Sequence, residues 1–299
     1  MIVLNDINKK MNGNHVLQDI SFHISPGERV GIIGKNGAGK TTLLNIIAGI
    51  LKADSGFIRV DFVENTLEDY AVLRKISYVS GTRLQLWEDM PIKDSLAHCM
   101  RMYRVTGNSS QWQELIQVFG IEKFLNDVPR NLSVGERMRG ELVYGLLSNP
   151  RVLLLDEVMM GLDVSAKYKI MQYLETYCRE KGCLLLFTSH NLVEVEHLCE
   201  RILLLDKGTI IFDGSVEKIM REYAPLTRME IKLEGNVPDF EDLPLQKMKI
   251  ENNRLHIWYD HTKLETTQIL QQVLKQNKAA EIRIYEPNLE ETITQIYER

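Results

Sequence analysis

The chain is 299 residues long, 44 % of them hydrophobic and 26 % charged, a balance that suits a folded globular protein and excludes a disordered or fibrous one. Its length accommodates one large core or two smaller ones. A formal net charge of −5 argues against a protein whose main task is to coat phosphate backbone, so nucleic acid is not an expected partner.

From the N-terminus, "MIVLNDINKKMNGNHVLQDISFHISPGERVGIIG" reads as short alternating strands with turns at Asn12-Gly13 and Pro26-Gly27, two of them forming an antiparallel edge. "VGIIG" is continuously apolar, as a strand covered on both faces is. From Gly39 onward, Leu43, Leu44, Ile46 and Ile47 recur at helical spacing, so a helix starts where the glycines end. Residues 87–149 are helix-rich, with "IKDSLAHCMRMY", "QWQELIQVFG" and "GERMRGELVYGLLS", and predict a helical subdomain. Alternation then returns: strand "RVLLLDE", helix "SAKYKIMQYLETYCREKG", strand "CLLLFTSH", helix "NLVEVEHLCE", and hairpin "RILLLDKGTIIFDG" turning at Lys207-Gly208. Strand and helix in turn predict an α/β fold on a mostly parallel sheet.

After Pro225 the texture changes. "RMEIKLEG" alternates Met229, Ile231 and Leu233 with charged neighbours, "KMKIENNRLHIWY" reads as a hairpin turning at Asn252-Asn253, and "LETTQILQQVLKQN", "AEIRIYE" and "LEETITQIYER" follow as helix, strand and helix. The reading therefore divides the chain into 1–225 and a small α+β unit, 226–299. The four cysteines, Cys99, Cys178, Cys183 and Cys199, have no metal-ligand spacing and fit reduced thiols in a cytoplasmic setting. No apolar stretch approaches the roughly 20 residues that cross a bilayer, and "MIVLNDINKK" lacks a basic region followed by a long apolar one, so no secretory signal is read.

The chemistry concentrates in the first part. Gly34, Gly39, Lys40 and Thr41 match the phosphate-loop pattern G-x-x-x-x-G-K-[ST] between a buried strand and a helix. Glycines let backbone N–H groups turn inward around a phosphate, and the following helix aims its positive dipole end at the same point. Lys40 supplies a point charge for the outer phosphates and Thr41 a hydroxyl for Mg²⁺. "VLLLDE" ends in Asp156 and Glu157, where one acid can hold Mg²⁺ through water and the other can orient and deprotonate a nucleophilic water. "LSVGERMR" (132–139), "GLD" (161–163) and "TSH", ending at His190, complete the series. A strand-end acid pair or a lone histidine each has a structural explanation; their ordered occurrence with the phosphate loop does not.

In this order the residues resemble the nucleotide-binding subunit of an ABC transporter, a P-loop NTPase: "GKNGAGKT" is similar to the Walker A motif, "LSVGE" to the signature motif, "VLLLDE" to Walker B, "GLD" to the D-loop and "TSH" to the switch-histidine segment. The resemblance covers about residues 1–224. More narrowly, "LSVGERMRGELVYGLLSNPRVLLLDE", "IIFDG" and "EPNLEE" resemble exporter-type ATPases encoded apart from their permeases. The resemblance implies that Gly34, Asn36, Gly37, Ala38, Gly39, Lys40, Thr41 and Thr42 hold ATP, and that Thr41 and Asp156 hold Mg²⁺. It also implies that Glu157 is the general base and that His190 contacts the transferred phosphate. Ser133, Gly135 and Asp163 would meet nucleotide at a head-to-tail interface with a second ATPase subunit, a homodimer being permitted because both halves of a site lie in this chain. An integral membrane permease is the implied partner, and the cytoplasmic side of the cell membrane the implied location.

Three positions depart from the family pattern. Met11 stands near where an aromatic residue stacks on adenine, and a thioether can also pack on the ring. The family's Q-loop glutamine would be expected near Gly81 or Thr82, neither of which is glutamine, with Gln85 close by. Val158, followed by Met159 and Met160, replaces the proline common after the glutamate. Trp87, Met90, Met100, Met102 and Tyr103 suit either an adaptable groove for the permease or the core of the helical subdomain. In the C-terminal unit, His256, Trp258 and Tyr259 read as alternating packing and Glu290 and Glu291 as a solvated face, which leaves a docking, dimerisation or regulatory appendage. Two other classes stay open: a soluble ABC ATPase acting on ribosomes, nucleic acid or a cytosolic assembly, and a nucleotide-gated binding module with little hydrolysis.

Overall fold

Alternating burial shapes the first strands. β1 (Ile2–Met11) and β2 (Asn14–Ile24) pair antiparallel through the Asn12-Gly13 turn, with Ile2, Leu4, Ile7, Leu17, Ile20 and Ile24 turned inward. They are not joined to the main sheet: with β4 (Ser55–Val60) and β5 (Val63–Glu64) they form a separate four-stranded sheet in the order β2-β1-β4-β5. The sequence reading places neither β4 nor β5. The structure, a computed structural model, describes residues 1–60, 63–64, 69–105, 109–223, 226–234, 238, 240, 243–251, 254–261, 263–276, 278–286 and 289–297.

The main sheet has six strands. β3 (Arg29–Gly34), β6 (Ile76–Ser80), β7 (Val152–Asp156), β8 (Leu184–Thr188), β9 (Arg201–Asp206) and β10 (Thr209–Ser215) take the order β10-β9-β3-β8-β7-β6. The pairs β3–β8, β3–β9, β6–β7 and β7–β8 are parallel. β7 and β8 are buried at every residue, as strands covered on both faces must be. Helices α1 (Lys40–Ile47), α2 (Tyr70–Leu73), α6 (Val164–Lys181) and α7 (Leu192–Leu198) accompany them. Leu43, Leu44, Ile46 and Ile47 of α1 join a single apolar cluster with β1, β2, β3, β7, β8 and β9, so the helix that follows the phosphate loop is packed against the sheets on its apolar side.

Between β6 and β7 lie α3 (Ile92–Met102), α4 (Ser109–Phe119) and α5 (Val134–Leu147). A reciprocal capping box starts α5: Ser133 Oγ accepts from Glu136 N at 3.3 Å and Glu136 Oε2 accepts from Ser133 N at 3.0 Å, which satisfies two donors at the helix start. Trp87 and Met102 are exposed, Met90, Met100 and Tyr103 half-buried, and the Trp87 ring lies 4.8 Å from that of His98.

The chain separates into two compact units, Met1–Asp213 and Gly214–Arg299. The second holds α8 (Val216–Tyr223), β11 (Leu226–Glu234), β12 (Leu245–Glu251), β13 (Arg254–Asp260), α9 (Thr266–Gln276), β14 (Lys278–Tyr285) and α10 (Leu289–Tyr297). Its antiparallel sheet runs β12-β13-β11-β14. Met229, Ile231, Leu255, Ile257, Tyr259, Ile269 and Val273 make its core. Tyr259 is buried, and His256 and Trp258, their rings 6.1 Å apart, alternate to the other face. Pro225, the Asn252-Asn253 turn, Pro287 and Asn288 lie outside the described residues, as do the side chains of Leu233 and Glu291.

Candidate active site

The ends of β3, β6, β7 and β8 converge on one edge of the parallel sheet, where this class of fold binds ligands. The turn from β3 into α1 needs a residue without a side chain at Gly39: its φ is +105°, and a Cβ there would lie 2.8 Å from the Val16 carbonyl oxygen. Gly34, Asn36, Gly37 and Ala38 complete the loop, with Thr41 and Thr42 in the first turn of α1. No side chain caps that turn, which leaves its N–H groups and the dipole end for an anion. Lys40 is buried, and its Nζ donates to the carbonyls of Gly34 and Lys35 at 2.7 and 3.3 Å. Burial holds its pKa below the ordinary lysine value, partly opposed by the nearby Glu157 and Asp156 carboxylates.

Asp156, at the end of β7, is 4 % exposed. Its Oδ2 accepts from Thr41 Oγ1 at 2.8 Å and from the Tyr78 hydroxyl at 3.1 Å, and its Oδ1 from Thr188 Oγ1 at 2.6 Å. A hydroxyl and a carboxylate this close are the hard oxygen donors that Mg²⁺ takes, so the residues present fit the metal. Burial first, then the Asp156 carboxylate, push the Tyr78 phenol up to about 12, so it stays a donor at neutral pH. Glu157 has φ of +56°, uncommon for a residue with a side chain. Its N–H is fixed on β8 by the Thr188 carbonyl and Oγ1, each at 3.1 Å. This bend turns the Glu157 carboxylate away from the buried Asp156 toward His190, whose Nε2 lies 2.7 Å from Glu157 Oε1 with the two side chains 33 % and 55 % exposed. The next two residues, Val158 and Met159, are buried, so the proline position of the family is filled by packing.

The other sequence-predicted residues sit as follows. Gly135 packs on the D-loop of the same chain: a Cβ there would lie 2.3 Å from the Gly161 carbonyl oxygen. Ser133 caps α5 and Asp163 caps α6, the latter accepting from Ala166 N at 2.9 Å, a bond that holds the Asp163 carboxyl below its usual range. Met11 lies at the tip of the β1–β2 hairpin, 46 % exposed. At the Q-loop position Gly81 donates its N–H to the Asp156 carbonyl at 3.0 Å, and Thr82 Oγ1 pairs with Ser80 Oγ at 3.1 Å. Gln85 is turned to other work: its carboxamide donates to the Tyr78 carbonyl, and its N–H to the Glu141 carboxylate.

Tyr78, Thr188 and Glu141 escape the sequence reading. The first two are visible only once β6 and β8 are known to flank β7 in the register Ser80↔Asp156↔Thr188. Glu141 is a charge on the apolar face of α5, and that mismatch is its signal. It is fully buried, accepts from the N–H groups of Gln85 and Leu86, and has its pKa raised by burial.

A family model described as "ABC transporter" matches residues 17–160. The chain is similar to the ABC transporter ATP-binding protein NatA of Bacillus subtilis (strain 168), 29 % identical over 225 residues, covering 73 % of this chain and 91 % of NatA. It is similar also to the methionine import ATP-binding protein MetN of Clostridioides difficile (strain 630), 31 % identical over 224 residues, covering 73 % of this chain and 70 % of MetN. The chain belongs to the ABC transporter ATP-binding family. Among solved structures it is similar to an ATP-binding cassette in a dimeric post-hydrolysis state bound to ADP and Pi, with a TM-score of 0.64, 26 % identity, and coverage of 72 % of this chain and 99 % of that one. As an ABC ATPase it uses ATP and Mg²⁺, and the ABC cassette accounts for the P-loop, the mixed sheets and the helices between β6 and β7. The relatives include import ATPases, so the family membership carries a transporter ATP-binding subunit and leaves the direction of transport apart.

Proposed function

We infer that this ABC ATPase dimerises around two ATP and drives substrate export through a separate integral membrane permease, as a peripheral subunit on the inner face of the cell membrane. One observation carries the chemical part: Glu157 stands 2.7 Å from His190, beside an Asp156 already joined to Thr41. In this reading the phosphate loop and Lys40 hold the outer phosphates, and Thr41 and Asp156 hold Mg²⁺, which neutralises charge on them. Glu157 accepts a proton from the attacking water as its oxygen bonds the γ-phosphorus and the bond to the ADP oxygen breaks. His190 keeps Glu157 and the transferred phosphate in line. Ser133, Gly135 and Asp163 face the nucleotide of the second subunit, and Met11 packs against adenine.

The head-to-tail dimer is supported by the exposed apolar residues Val134, Met160, Val164 and Tyr168 around the signature and D-loop segments. A separate permease is supported by the spans: among the described residues no helix is long and apolar enough to cross a membrane. Export rests on the motif resemblance, against which stand relatives named for import. We assign the unit Met1–Asp213 to the ATPase domain and the unit Gly214–Arg299, which holds α8 together with residues 226–299, to an accessory domain for docking, dimerisation or regulation. The deciding experiment is purification of the tagged protein from gently solubilised membranes. A stoichiometric multi-span partner is expected, and inverted vesicles carrying the pair should accumulate substrate on ATP addition. Reproducible recovery on ribosomes, nucleic acid or another cytosolic assembly would sink the transporter reading and leave the ATP chemistry standing.

A further inference from the structure

Tyr78 stands where two hydrogen-bond networks meet. Its hydroxyl is 3.1 Å from Asp156 Oδ2, the oxygen that Thr41 also reaches. Its carbonyl accepts the Gln85 carboxamide, and the Gln85 N–H donates to both Glu141 oxygens at 3.1 and 2.9 Å, which ties this loop to α5, the helix that begins at the signature motif. The Tyr78 ring also walls a cavity of about 200 Å³ with Arg83, Gln85, Tyr103 and Tyr144. Gly81 and Thr82 hold the places where a glutamine would reach toward the phosphates, and the Gln85 carboxamide is spent on the Tyr78 main chain.

We propose that Tyr78 is a positioning residue for magnesium, its hydroxyl fixing the Asp156 carboxylate in the orientation that receives the ion, at a loop whose Gln85 is bonded to the main chain instead. This role for Tyr78 rests on the Mg²⁺-dependent ATPase reading of the site. A carboxylate that must meet a metal in one orientation needs both oxygens restrained. Thr188 restrains Oδ1, and two donors share Oδ2. The Thr41 oxygen is itself a metal donor, so Tyr78 is the one of the two whose oxygen is free of that duty. The link through Gln85 to Glu141 makes the Tyr78 strand end move with the loop and with α5, so a shift of that loop is felt at the metal carboxylate.

The test is calorimetric titration of ATP in excess Mg²⁺ and in chelator, comparing the wild-type chain with Tyr78→Phe, which keeps the ring and its packing. Metal-free affinity should stay within about twofold, while the gain from Mg²⁺ falls roughly tenfold, the scale of one hydrogen bond to a charged group. The Mg²⁺ concentration that half-activates hydrolysis should rise in proportion. Equal weakening with and without metal would make Tyr78 merely structural and overturn the proposal, as would an unchanged Mg²⁺ gain. Should Tyr78→Phe not fold, Gln85→Ala decides: it keeps the hydroxyl but frees the strand end, and a raised Mg²⁺ requirement supports the link while an unaltered one overturns it. A wild-type chain whose hydrolysis ignores Mg²⁺ would overturn the Mg²⁺-dependent reading of the site itself, a result distinct from a magnesium-sensitive wild type with an indifferent variant.

Discussion

In the six-stranded sheet of the first unit the side chains of the candidate site gather where β7 and β8 stop, whereas in the four-stranded sheet of the second unit charged side chains pair along a face. β7 and β8 are buried along their whole length, Asp156 included, and Glu157 and His190 reach solvent just beyond their ends. On β11, β13 and β14 the carboxylates of Glu230 and Glu281 are answered by Arg254 at 2.7 and 2.9 Å, and Arg283 lies 2.6 Å from Glu281. A parallel sheet aims all its strand ends one way and so concentrates whatever those ends carry; an antiparallel sheet alternates them and leaves cross-strand pairing as the use for charge. The sharper difference is in the partners. Asp156 is held by three hydroxyls, with the Lys40 ammonium near it bonded instead to main-chain carbonyls, an arrangement that leaves its oxygens for a metal, while Glu230 is matched by an arginine.

The comparison would break most visibly at Glu157. Glu157→Gln keeps the size and removes the base, so steady-state hydrolysis should fall by about 10²- to 10⁴-fold while ATP still binds, and an ATP-bound dimer should accumulate on size-exclusion chromatography. Wild-type turnover in that protein would remove Glu157 from the role. Next in size is Gly135→Ala. The new methyl would lie 2.3 Å from the Gly161 carbonyl oxygen and 3.1 Å from its carbon, backbone atoms that cannot step aside alone, so the D-loop must shift. A loss of about 1–3 kcal/mol is expected from overpacking, read in thermal unfolding, along with weaker ATP-driven dimerisation.

A smaller effect belongs to Glu141. Burial raises its folded-state pKa above the unfolded value, so this group favours folding most at pH below the unfolded pKa, and that contribution is lost as pH rises through the folded one. Glu141→Gln removes the titration but keeps one acceptor for the N–H groups of Gln85 and Leu86. The stability difference between wild type and variant should therefore shrink from mildly acid to neutral pH in denaturant titrations. A difference that stays constant, or grows with pH, would mean that the three N–H bonds outweigh burial.

How much of this is legible in a sequence follows from how local each feature is. The phosphate loop is fixed by neighbours in the chain: glycine at a left-handed φ, then a helix start, and both are written consecutively. Asp156 and Glu157 are legible because "VLLLDE" ends an apolar strand. β4 is not, because "SGFIRV" is held by β1, some fifty residues earlier, in the register Leu4↔Ile58, and its own pattern is too short to declare a strand. α2 is a single turn held by its Asp69 cap, below what periodicity can resolve. Tyr78 and Thr188 depend on strand order, a property of the folded sheet: nothing in "ISYVS" says that it will lie beside "VLLLD".

The smallest expected effect is on the other side of the comparison. If charge in the second sheet serves pairing, Arg254→Ala should cost only structure. Arg254 Nη1 reaches Glu230, which is mostly buried between β11 and its neighbours, so removing the arginine leaves that carboxylate with the weaker company of the Tyr285 hydroxyl at 3.5 Å and His256 at 3.9 Å. Partly exposed pairs of this kind contribute about 1 kcal/mol or less. The variant should therefore unfold slightly earlier and hydrolyse ATP at the wild-type rate. A changed hydrolysis rate with unchanged unfolding would reverse the assignment, since a charge that matters to turnover without mattering to stability belongs to a regulatory contact and not to the sheet.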